Sequence, residues 1–217
     1  MDKNKYIKSE ADFYSEAFKD NETRKQRGFG WDFEPSLGII ELIKRNDIEI
    51  SKVLDAGCGD GRHIEHFSKL GSNVTGVDFS SEAIDLCKKR FPNNKNLFVK
   101  DLTKADSLKD LGEFDLVINW SVMNHIKPEH LKDYLDNIMG SIKEGGYAIF
   151  AEFHESSIEK EDSWVLKSLN EDGHYTRMYT IEELRNVLHP LEVVDFLEGF
   201  ADKSKRGILF NFVLIKK

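Results

Sequence analysis

The first residues whose types and spacing could do chemistry lie in the segment VLDAGCGDGRH, residues 53–63, where three glycines follow a short apolar run. Glycine lets the backbone approach a ligand closely and adopt conformations that a Cβ forbids. In an open α/β sheet, ligands bind beyond the carboxyl ends of the strands, where the strand order reverses. Gly57, Gly59 and Gly61 therefore predict a ligand-binding turn after the first strand.

The spacing of these glycines argues against a pyrophosphate ligand. A dinucleotide-binding GxGxxG turn would have its third glycine where this chain has Arg62. A phosphate-binding P-loop would need GxxxxGK followed by Ser or Thr, and this sequence lacks that pattern here. The turn therefore indicates a different kind of ligand.

Two carboxylates follow the next two predicted strands. Asp78 ends an apolar run about twenty residues after the glycine turn, where a carboxylate accepts hydrogen bonds from both ribose hydroxyls and repels a 2'-phosphate. Since Ser80 is available to cap the following helix, Asp78 is not needed for capping. Asp101 follows the third strand, where it could accept from an adenine amino group, although taken alone it is an ordinary strand-end aspartate.

A fourth polar group follows in FDLVINWSVMNHI, residues 114–126. We expect this strand to lie beside the first, so that its end faces the ligand cleft. His125 is the predicted catalytic base, because an imidazole accepts a proton near neutral pH. The alternative is a structural histidine that bonds a loop carbonyl, and the sequence leaves both open. His154 and Glu155, after the fifth strand, are second choices for the base.

The elements that position these residues alternate between short apolar runs and amphipathic segments, which is typical of a parallel sheet with helices on both faces. Glycine, proline and capping residues set most of the predicted helix ends. The predicted strands are 53–55, 74–77, 97–99, 114–120 and 147–153, and the predicted helices between them are 62–70, 81–91 and 129–142.

The two ends of the chain differ from this pattern. Thr180 to Glu183 predicts a capping box that opens a helix through Leu188, and the strands 193–197 and 208–215 then predict an antiparallel hairpin at the sheet edge. Residues 1–50 show no strand pattern. We expect them to form a helical cap on the domain 51–217, and their aromatic side chains either pack on the sheet layer or form a lid over a ligand; these are Tyr6, Phe13, Tyr14 and Phe18.

Composition narrows the class of protein. With 217 residues, 40% of them apolar, one domain is expected. The formal net charge of -8 disfavours a nucleic-acid partner, whose binding depends on clustered Lys and Arg. The two cysteines, Cys58 and Cys87, fit neither a disulfide framework nor a zinc site. No apolar run approaches the ~20 residues of a membrane span, which predicts a soluble, cytoplasmic protein without a membrane partner.

Four such elements in this order resemble the class I S-adenosylmethionine-dependent methyltransferases from Val53 to the final hairpin. VLDAGCGDG is similar to the first motif of that family, GVDFS to its ribose-binding strand end, KDL to its adenine-contacting step, and FDLVINWSVMNHI to its fourth-strand motif. The segment IKEGGYAIFAEF resembles its helix, glycine turn and fifth strand. The resemblance implies a doubly wound, mostly parallel seven-stranded α/β sheet with a C-terminal antiparallel hairpin.

The resemblance also implies the cofactor, S-adenosylmethionine, with S-adenosylhomocysteine as product, and roles for particular positions. Residues of the glycine turn would approach the methionine and ribose portions, those after the second and third strands the ribose and adenine, and those after the fourth strand the sulfonium. The methionine carboxylate needs a donor, for which Arg24, Arg27 and Arg62 stay open. The other cofactor-binding residues implied are Asp55, Gly57, Cys58, Gly59, Gly61, Asp78, Phe79, Asp101, Leu102, Asn119 and Trp120.

The acceptor pocket is expected from segments that the motifs do not explain, the N-terminal segment and the insertion 154–179. Arg177 could anchor an anionic acceptor or lie in solvent, and both remain open. No convincing magnesium set is present, so no metal is predicted. The predicted substrate-binding residues are Tyr14, Trp31, His154, Tyr175 and Arg177.

The predicted function is methyl transfer to an O, N or S atom of a small molecule, by a monomer or homodimer. DNA amino-methylating enzymes of this fold carry Asn or Asp followed by Pro-Pro and an aromatic residue, whereas Asn119 is followed by Trp120 and Ser121. Three alternatives remain: a non-catalytic S-adenosylmethionine-binding module, a methyltransferase acting on tRNA or protein, and a nicotinamide-dependent oxidoreductase.

Overall fold

The computed structural model describes residues 12–20, 35–158, 175–200 and 209–217, which build a seven-stranded sheet covered by helices. Most elements begin and end within two residues of the predicted positions. The strands are β1 Lys52–Ala56, β2 Asn73–Asp78, β3 Leu97–Val99, β4 Phe114–Trp120, β5 Ile142–Phe153, β6 Glu192–Phe200 and β7 Leu209–Lys216. The helices are α1 12–17, α2 Leu37–Arg45, α3 Arg62–Lys69, α4 Ser81–Arg90, α5 Pro128–Ser141 and α6 Ile181–Leu188.

The strand order is β3-β2-β1-β4-β5-β7-β6, and β7 runs antiparallel to both of its neighbours. The chain builds outward from β1 to β3 and then returns to place β4 on the other side of β1. This reversal leaves a crevice at the carboxyl ends of β1 and β4, which is where ligands bind in such sheets. The doubly wound sheet and its antiparallel edge hairpin are as predicted.

Local sequence signals account for the helix ends. The Ser80 hydroxyl accepts a hydrogen bond from Ala83 N at 3.2 Å and caps α4. Thr180 and Glu183 form the predicted capping box at the start of α6. Two boundaries differ by more than two residues. β5 begins at Ile142 rather than at Tyr147, because the chain leaving α5 already pairs with Phe114 of β4. β6 ends at Phe200 rather than at Leu197, because its pairing with β7 continues to Leu209.

Strand alternation divides the core into two layers, because successive side chains point to opposite faces. Val53 packs in the layer beneath α2, α3 and α4, whereas Leu54 packs in the layer beneath α5 and α6. The two layers clamp the central strands, so the turns at their carboxyl ends rest on a packed sheet. No helix in the described ranges is long and apolar enough to cross a membrane.

Candidate cofactor and acceptor site

The glycine turn after β1 needs glycine for both conformation and space. Gly57, Gly59 and Gly61 have φ values of 78°, 53° and 93°, in the left-handed region that disfavours a Cβ. A Cβ on Gly57 would also clash with Cγ2 of Val122. The turn is tied to β2, since the Gly57 and Cys58 amides both donate to the Val77 carbonyl, at 2.8 and 2.9 Å.

Asp78 lies at the end of β2 with its carboxylate turned toward this glycine turn. One oxygen accepts a hydrogen bond from Gly59 N at 2.9 Å, and the other accepts from Ser80 N at 2.9 Å. Burial raises the pKa of Asp78 to about 6, and the two backbone donors only partly oppose this rise. The site thus holds a desolvated acceptor carboxylate beside the turn, and the capping role belongs to Ser80, as predicted.

Asp101 follows β3 and organises the next loop. Its Oδ1 accepts hydrogen bonds from the Thr103 backbone nitrogen at 2.9 Å and the Thr103 hydroxyl at 2.6 Å. The Lys104 ammonium lies 3.6 Å from the other oxygen. These contacts fix the shape of the loop. Asp101 and Leu102 both line a cavity at the carboxyl ends of the strands.

A cavity at the carboxyl ends of β1, β2, β3 and β4 gathers most of the predicted cofactor residues. Predicted residues in its wall are Gly57, Cys58, Gly59, Arg62, Asp78, Phe79, Asp101, Leu102 and Trp120, joined by Tyr14 and His125. The sequence analysis predicted no site role for eight other wall residues. Six of them neighbour a predicted position, Val122 lies two residues after Trp120, and Phe18 was predicted only as part of the aromatic N-terminal segment, so adjacency was the main available signal. These residues are Phe18, Asp60, His63, Lys100, Thr103, Ser121, Val122 and Ile126.

Three predicted cofactor residues do not line the cavity. Asp55 is buried below it, with Oδ1 3.4 Å from Nδ1 of His63. Gly61 lies against the Phe91 ring, where a Cβ would clash, so it serves the packing of α3 against the end of α4. Asn119 is fully buried on the α5 face and donates to the Tyr134 hydroxyl, whereas the prediction placed it beside the sulfonium.

Arg62 and Trp120 form a stacked pair in the cavity wall. The guanidinium carbon of Arg62 lies 4.4 Å from the centroid of the Trp120 ring, which in turn stacks on Phe210 at 5.7 Å. This arrangement holds a buried positive charge at the end of β4. Of the three arginines considered for the methionine carboxylate, Arg62 lines the cavity, and Arg24 and Arg27 lie outside the described residues.

His125 combines the two alternatives that the sequence left open. It lines the cavity, and its Nδ1 also lies 3.1 Å from the Tyr175 carbonyl oxygen. Since a carbonyl only accepts, this contact favours a neutral ring with its proton on Nδ1, and the Thr176 hydroxyl lies 3.3 Å from the same nitrogen. The rings of Tyr14 and Phe153 meet the imidazole edge to face, each at 5.9 Å. His125 is thus held in the cavity wall by contacts to its ring and to Nδ1.

The predicted acceptor residues are brought together only in part. Tyr14 lines the cavity and contacts Phe79 at 5.3 Å, and Tyr175 contributes the carbonyl that holds His125. Arg177 donates to Glu183 of the capping box at 3.0 Å, and it is not among the residues that line the cavity. His154 is held by Ser156, whose amide donates to Nδ1 at 3.1 Å, away from the cavity wall. Trp31 lies outside the described residues.

The residues present fit an adenosyl sulfonium ligand. The left-handed turn leaves space that a side chain on Gly57 would remove, and the ordered carboxylates of Asp78 and Asp101 face one cavity. Aromatic rings flank that space, which suits an adenine and an activated methyl group. Within the described residues, no group of three or more His, Cys, Asp or Glu side chains could hold a metal ion.

Comparisons with known proteins identify a methyltransferase domain in this chain. A family model described as a methyltransferase domain matches residues 6–191. The chain is 26% identical over 204 residues to a ubiquinone biosynthesis O-methyltransferase of Glaesserella parasuis serovar 5, a match covering 83% of this chain and 82% of that protein. It is 30% identical over 203 residues to a mitochondrial ubiquinone biosynthesis O-methyltransferase of Schizosaccharomyces pombe, covering 83% and 71%.

A solved structure shows the same fold. It is the 1,6-didemethyltoxoflavin-N1-methyltransferase of Burkholderia thailandensis with bound 1,6-didemethyltoxoflavin and S-adenosylhomocysteine, at 21% identity and a TM-score of 0.62, covering 82% of this chain and 75% of that one. The family match spans most of the chain, and the sheet order agrees with the fold shared with the solved structure. The chain therefore belongs to the class I S-adenosylmethionine-dependent methyltransferases and is an enzyme that uses S-adenosylmethionine as its methyl donor.

Proposed function

We propose that this enzyme methylates a hydroxyl group on an aromatic small molecule, with His125 as general base. The observation that carries the proposal is the fixed imidazole in the cavity wall, whose Nδ1 is held by the Tyr175 carbonyl. A hydroxyl is the acceptor that gains most from such a base, because it must lose a proton as its oxygen is methylated. The similar proteins named as O-methyltransferases support the choice of oxygen.

The wall near His125 supports an aromatic rather than a charged acceptor. Tyr14 contacts the imidazole, and Phe18, Val122 and Ile126 add further apolar surface to the cavity wall. Arg177, the arginine considered for binding an anionic acceptor, donates a hydrogen bond to Glu183 and does not line the cavity. The net charge of -8 further favours a small molecule over tRNA.

Roles in donor binding are proposed for the residues that line the cavity. Asp78 accepts hydrogen bonds from the ribose hydroxyls, and Phe79, Asp101 and Leu102 surround the adenine. The Arg62 guanidinium binds the methionine carboxylate from its stacked position on Trp120. Asp55 acts from below the cavity, by orienting His63 in the wall.

The protein's own side chains are proposed to exclude water, position the acceptor and remove its proton. When bound, S-adenosylmethionine supplies a methyl group on a cationic sulfur, which leaves to a nucleophile in line with it. The apolar wall excludes water and holds the acceptor in place. His125 takes the hydroxyl proton at Nε2, and the Tyr175 carbonyl stabilises the resulting imidazolium through Nδ1–H.

The N-terminal segment is proposed to cap this site. Tyr14 and Phe18, from α1 and the turn that follows it, line the cavity formed otherwise by residues beyond 50. This supports a division into a cap, residues 1–50, and a methyltransferase domain, residues 51–217. The acceptor would then bind between the cap and the ends of β4 and β5.

The experiment is a transfer assay with methyl-labelled S-adenosylmethionine and a panel of phenols, catechols, aromatic amines and thiols. We expect label in an aromatic ether, and a fall in kcat on the order of 10²- to 10⁴-fold in His125→Gln with the donor KM nearly unchanged. Exclusive labelling of amines or thiols would refute the oxygen acceptor. Full activity of His125→Gln would refute the base.

A further inference from the structure

Glu152 is a buried carboxyl group near the end of β5 that the proposed chemistry does not use. Its side chain is fully buried, and its Oε2 accepts a hydrogen bond from the Asn124 backbone nitrogen at 3.0 Å. Among the described residues, no Lys, Arg or His side chain forms an ion pair with it. Burial raises the pKa of Glu152 well above its usual range, which favours the protonated form of the carboxyl group.

The bond to Asn124 enters the short turn that carries His125, a 3-10 helix over Met123–His125. The Asn124 side chain continues the attachment, since its Oδ1 accepts from Phe153 N at 2.9 Å and its Nδ2 donates to the Arg177 carbonyl. The Arg177 amide returns a bond to the Asn124 carbonyl at 2.7 Å. The turn is therefore fastened to β5 on one side and to the segment after residue 174 on the other.

Glu152 and Phe153 contact this turn from opposite faces of β5. Glu152 binds the Asn124 amide from the α5 face, whereas the Phe153 ring meets the His125 imidazole at 5.9 Å. Two consecutive residues thus hold the backbone and the side chain of the same turn. A strand buried on both faces is a rigid support for such an attachment.

The surroundings of Glu152 fit a carboxyl group that keeps its proton. Glu152 pairs directly with Asn211 across β5 and β7, which places both side chains on the α5 and α6 face. Asn119 of β4 lies on that face too, bonded to Tyr134. Oε1 of Glu152 and Oδ1 of both asparagines are buried without a hydrogen-bond partner within the part of the chain described. A protonated carboxyl group can donate a hydrogen bond, whereas the amide oxygens in this row only accept.

We propose that Glu152 is a positioning residue for His125: its carboxyl group holds the Met123–His125 turn against β5 and so fixes the imidazole in the cavity wall. This inference rests on the proposed role of His125 as base. Glutamine can replace the protonated acid, because its carbonyl accepts from Asn124 N and its amide donates to a neighbouring oxygen. An apolar side chain leaves the turn amide unsatisfied and frees the imidazole to reorient.

The test compares Glu152→Gln, Glu152→Met and a control in the same buried row, Tyr134→Phe, which removes a hydroxyl that does not touch the turn. Each variant is first assayed for kcat and the donor KM, with the acceptor that the transfer assay identifies. The tautomer of His125 is then determined from the 15N chemical shifts of its ring. We expect Glu152→Gln and Tyr134→Phe to keep kcat within about threefold and a single Nδ1–H tautomer. Methionine approximates the size of glutamate, so Glu152→Met limits the risk of a folding failure, and circular dichroism checks each variant.

For Glu152→Met we expect kcat to fall roughly 10- to 100-fold, the donor KM to stay within about twofold, and the His125 signals to show mixed tautomers. A normal rate with a single tautomer would overturn the proposal, and so would a lower rate with unchanged His125 signals. Failure of the proposed function gives a different result. If His125→Gln is active while Glu152→Met still shows mixed tautomers, Glu152 positions the imidazole but His125 is not the general base. An unfolded Glu152→Met leaves Glu152→Gln to decide, since loss of its single tautomer contradicts the proposal and retention supports it.

Discussion

The Asp78 carboxylate accepts a hydrogen bond from the Gly59 amide at 2.9 Å, which joins the end of β2 to the glycine turn after β1. The residue proposed for the ribose therefore also shapes the turn proposed for the methionine and ribose portions. Because its other oxygen is held by Ser80 N at 2.9 Å, the carboxylate has a fixed orientation before any ligand binds. Donor binding and turn geometry are thus coupled through one side chain.

Replacing Asp78 with alanine should weaken donor binding. We expect a loss of about 1 to 3 kcal/mol in the binding free energy of S-adenosylhomocysteine, the usual scale for lost charge-assisted hydrogen bonds. Isothermal titration calorimetry measures it, with the exposed Asp85→Ala on α4 as a matched control. An unchanged Kd in a folded Asp78→Ala protein would show that the ribose lies elsewhere.

The raised pKa of Asp78 predicts a pH dependence of donor affinity. Ribose hydroxyls donate to the ionised carboxylate, so the Kd for S-adenosylhomocysteine should rise as the pH falls below about 6, by up to roughly tenfold per pH unit. The effect of pH on folding stability has the opposite direction to its effect on donor affinity. The native state binds this proton more tightly than the unfolded chain, so between about pH 4 and pH 6 the contribution of Asp78 to stability decreases as the pH rises. Titrations over pH in wild type and Asp78→Asn check this, and an equal slope in both would contradict it.

Gly57 and Gly59 should respond differently to alanine. Both have positive φ, which costs an alanine roughly 1 to 2 kcal/mol, but a Cβ on Gly57 also clashes with Val122, whereas one on Gly59 lies 3.3 Å from Phe18. We expect Gly57→Ala to lower the melting temperature and the donor affinity more than Gly59→Ala does. Adding Val122→Ala should recover part of the Gly57→Ala loss. Equal effects of the two single changes would argue against the clash.

Arg62 should matter for the methionine end of the donor and not for the nucleoside. In Arg62→Ala we expect the Kd for S-adenosylhomocysteine to rise about tenfold or more, while the Kd for adenosine, which lacks the carboxylate, stays within about twofold. Arg62→Lys should recover little, because an ammonium does not reproduce the stacking on Trp120. If both ligands lost affinity equally, Arg62 would be supporting the fold of the cavity instead.

The sequence predicted the sheet and the donor turn well because their signals are local. Gly57 to Gly61, Asp78 and the Thr180 to Glu183 capping box each depend on a few neighbouring residues, and all appear at the expected element ends. The antiparallel hairpin followed from the lack of a helix between its strands. In such features, a few neighbouring residues determine the local backbone conformation, so they can be predicted without knowing which distant segments pack together.

The sequence does not reveal contacts between distant segments. Asn119 and Trp120 are neighbours on β4, yet strand alternation turns one toward Tyr134 and the other toward the cavity, and the sequence does not say which face is which. Arg177 was predicted to anchor an acceptor or to lie in solvent, and its hydrogen bond to Glu183 of the helix cap depends on the course of the backbone between them. The role proposed for Glu152 depends on its contact with the Asn124 backbone, a contact between distant segments that the β5 sequence does not reveal.

The most direct test of the account is a crystal structure of the protein with S-adenosylhomocysteine. We predict the ribose hydroxyls on the Asp78 carboxylate, the adenine beside Phe79 and Leu102, and the sulfur in the same cavity as His125. Ribose density away from Asp78, or a ligand bound outside the cavity formed by the glycine turn and the end of β4, would contradict the account.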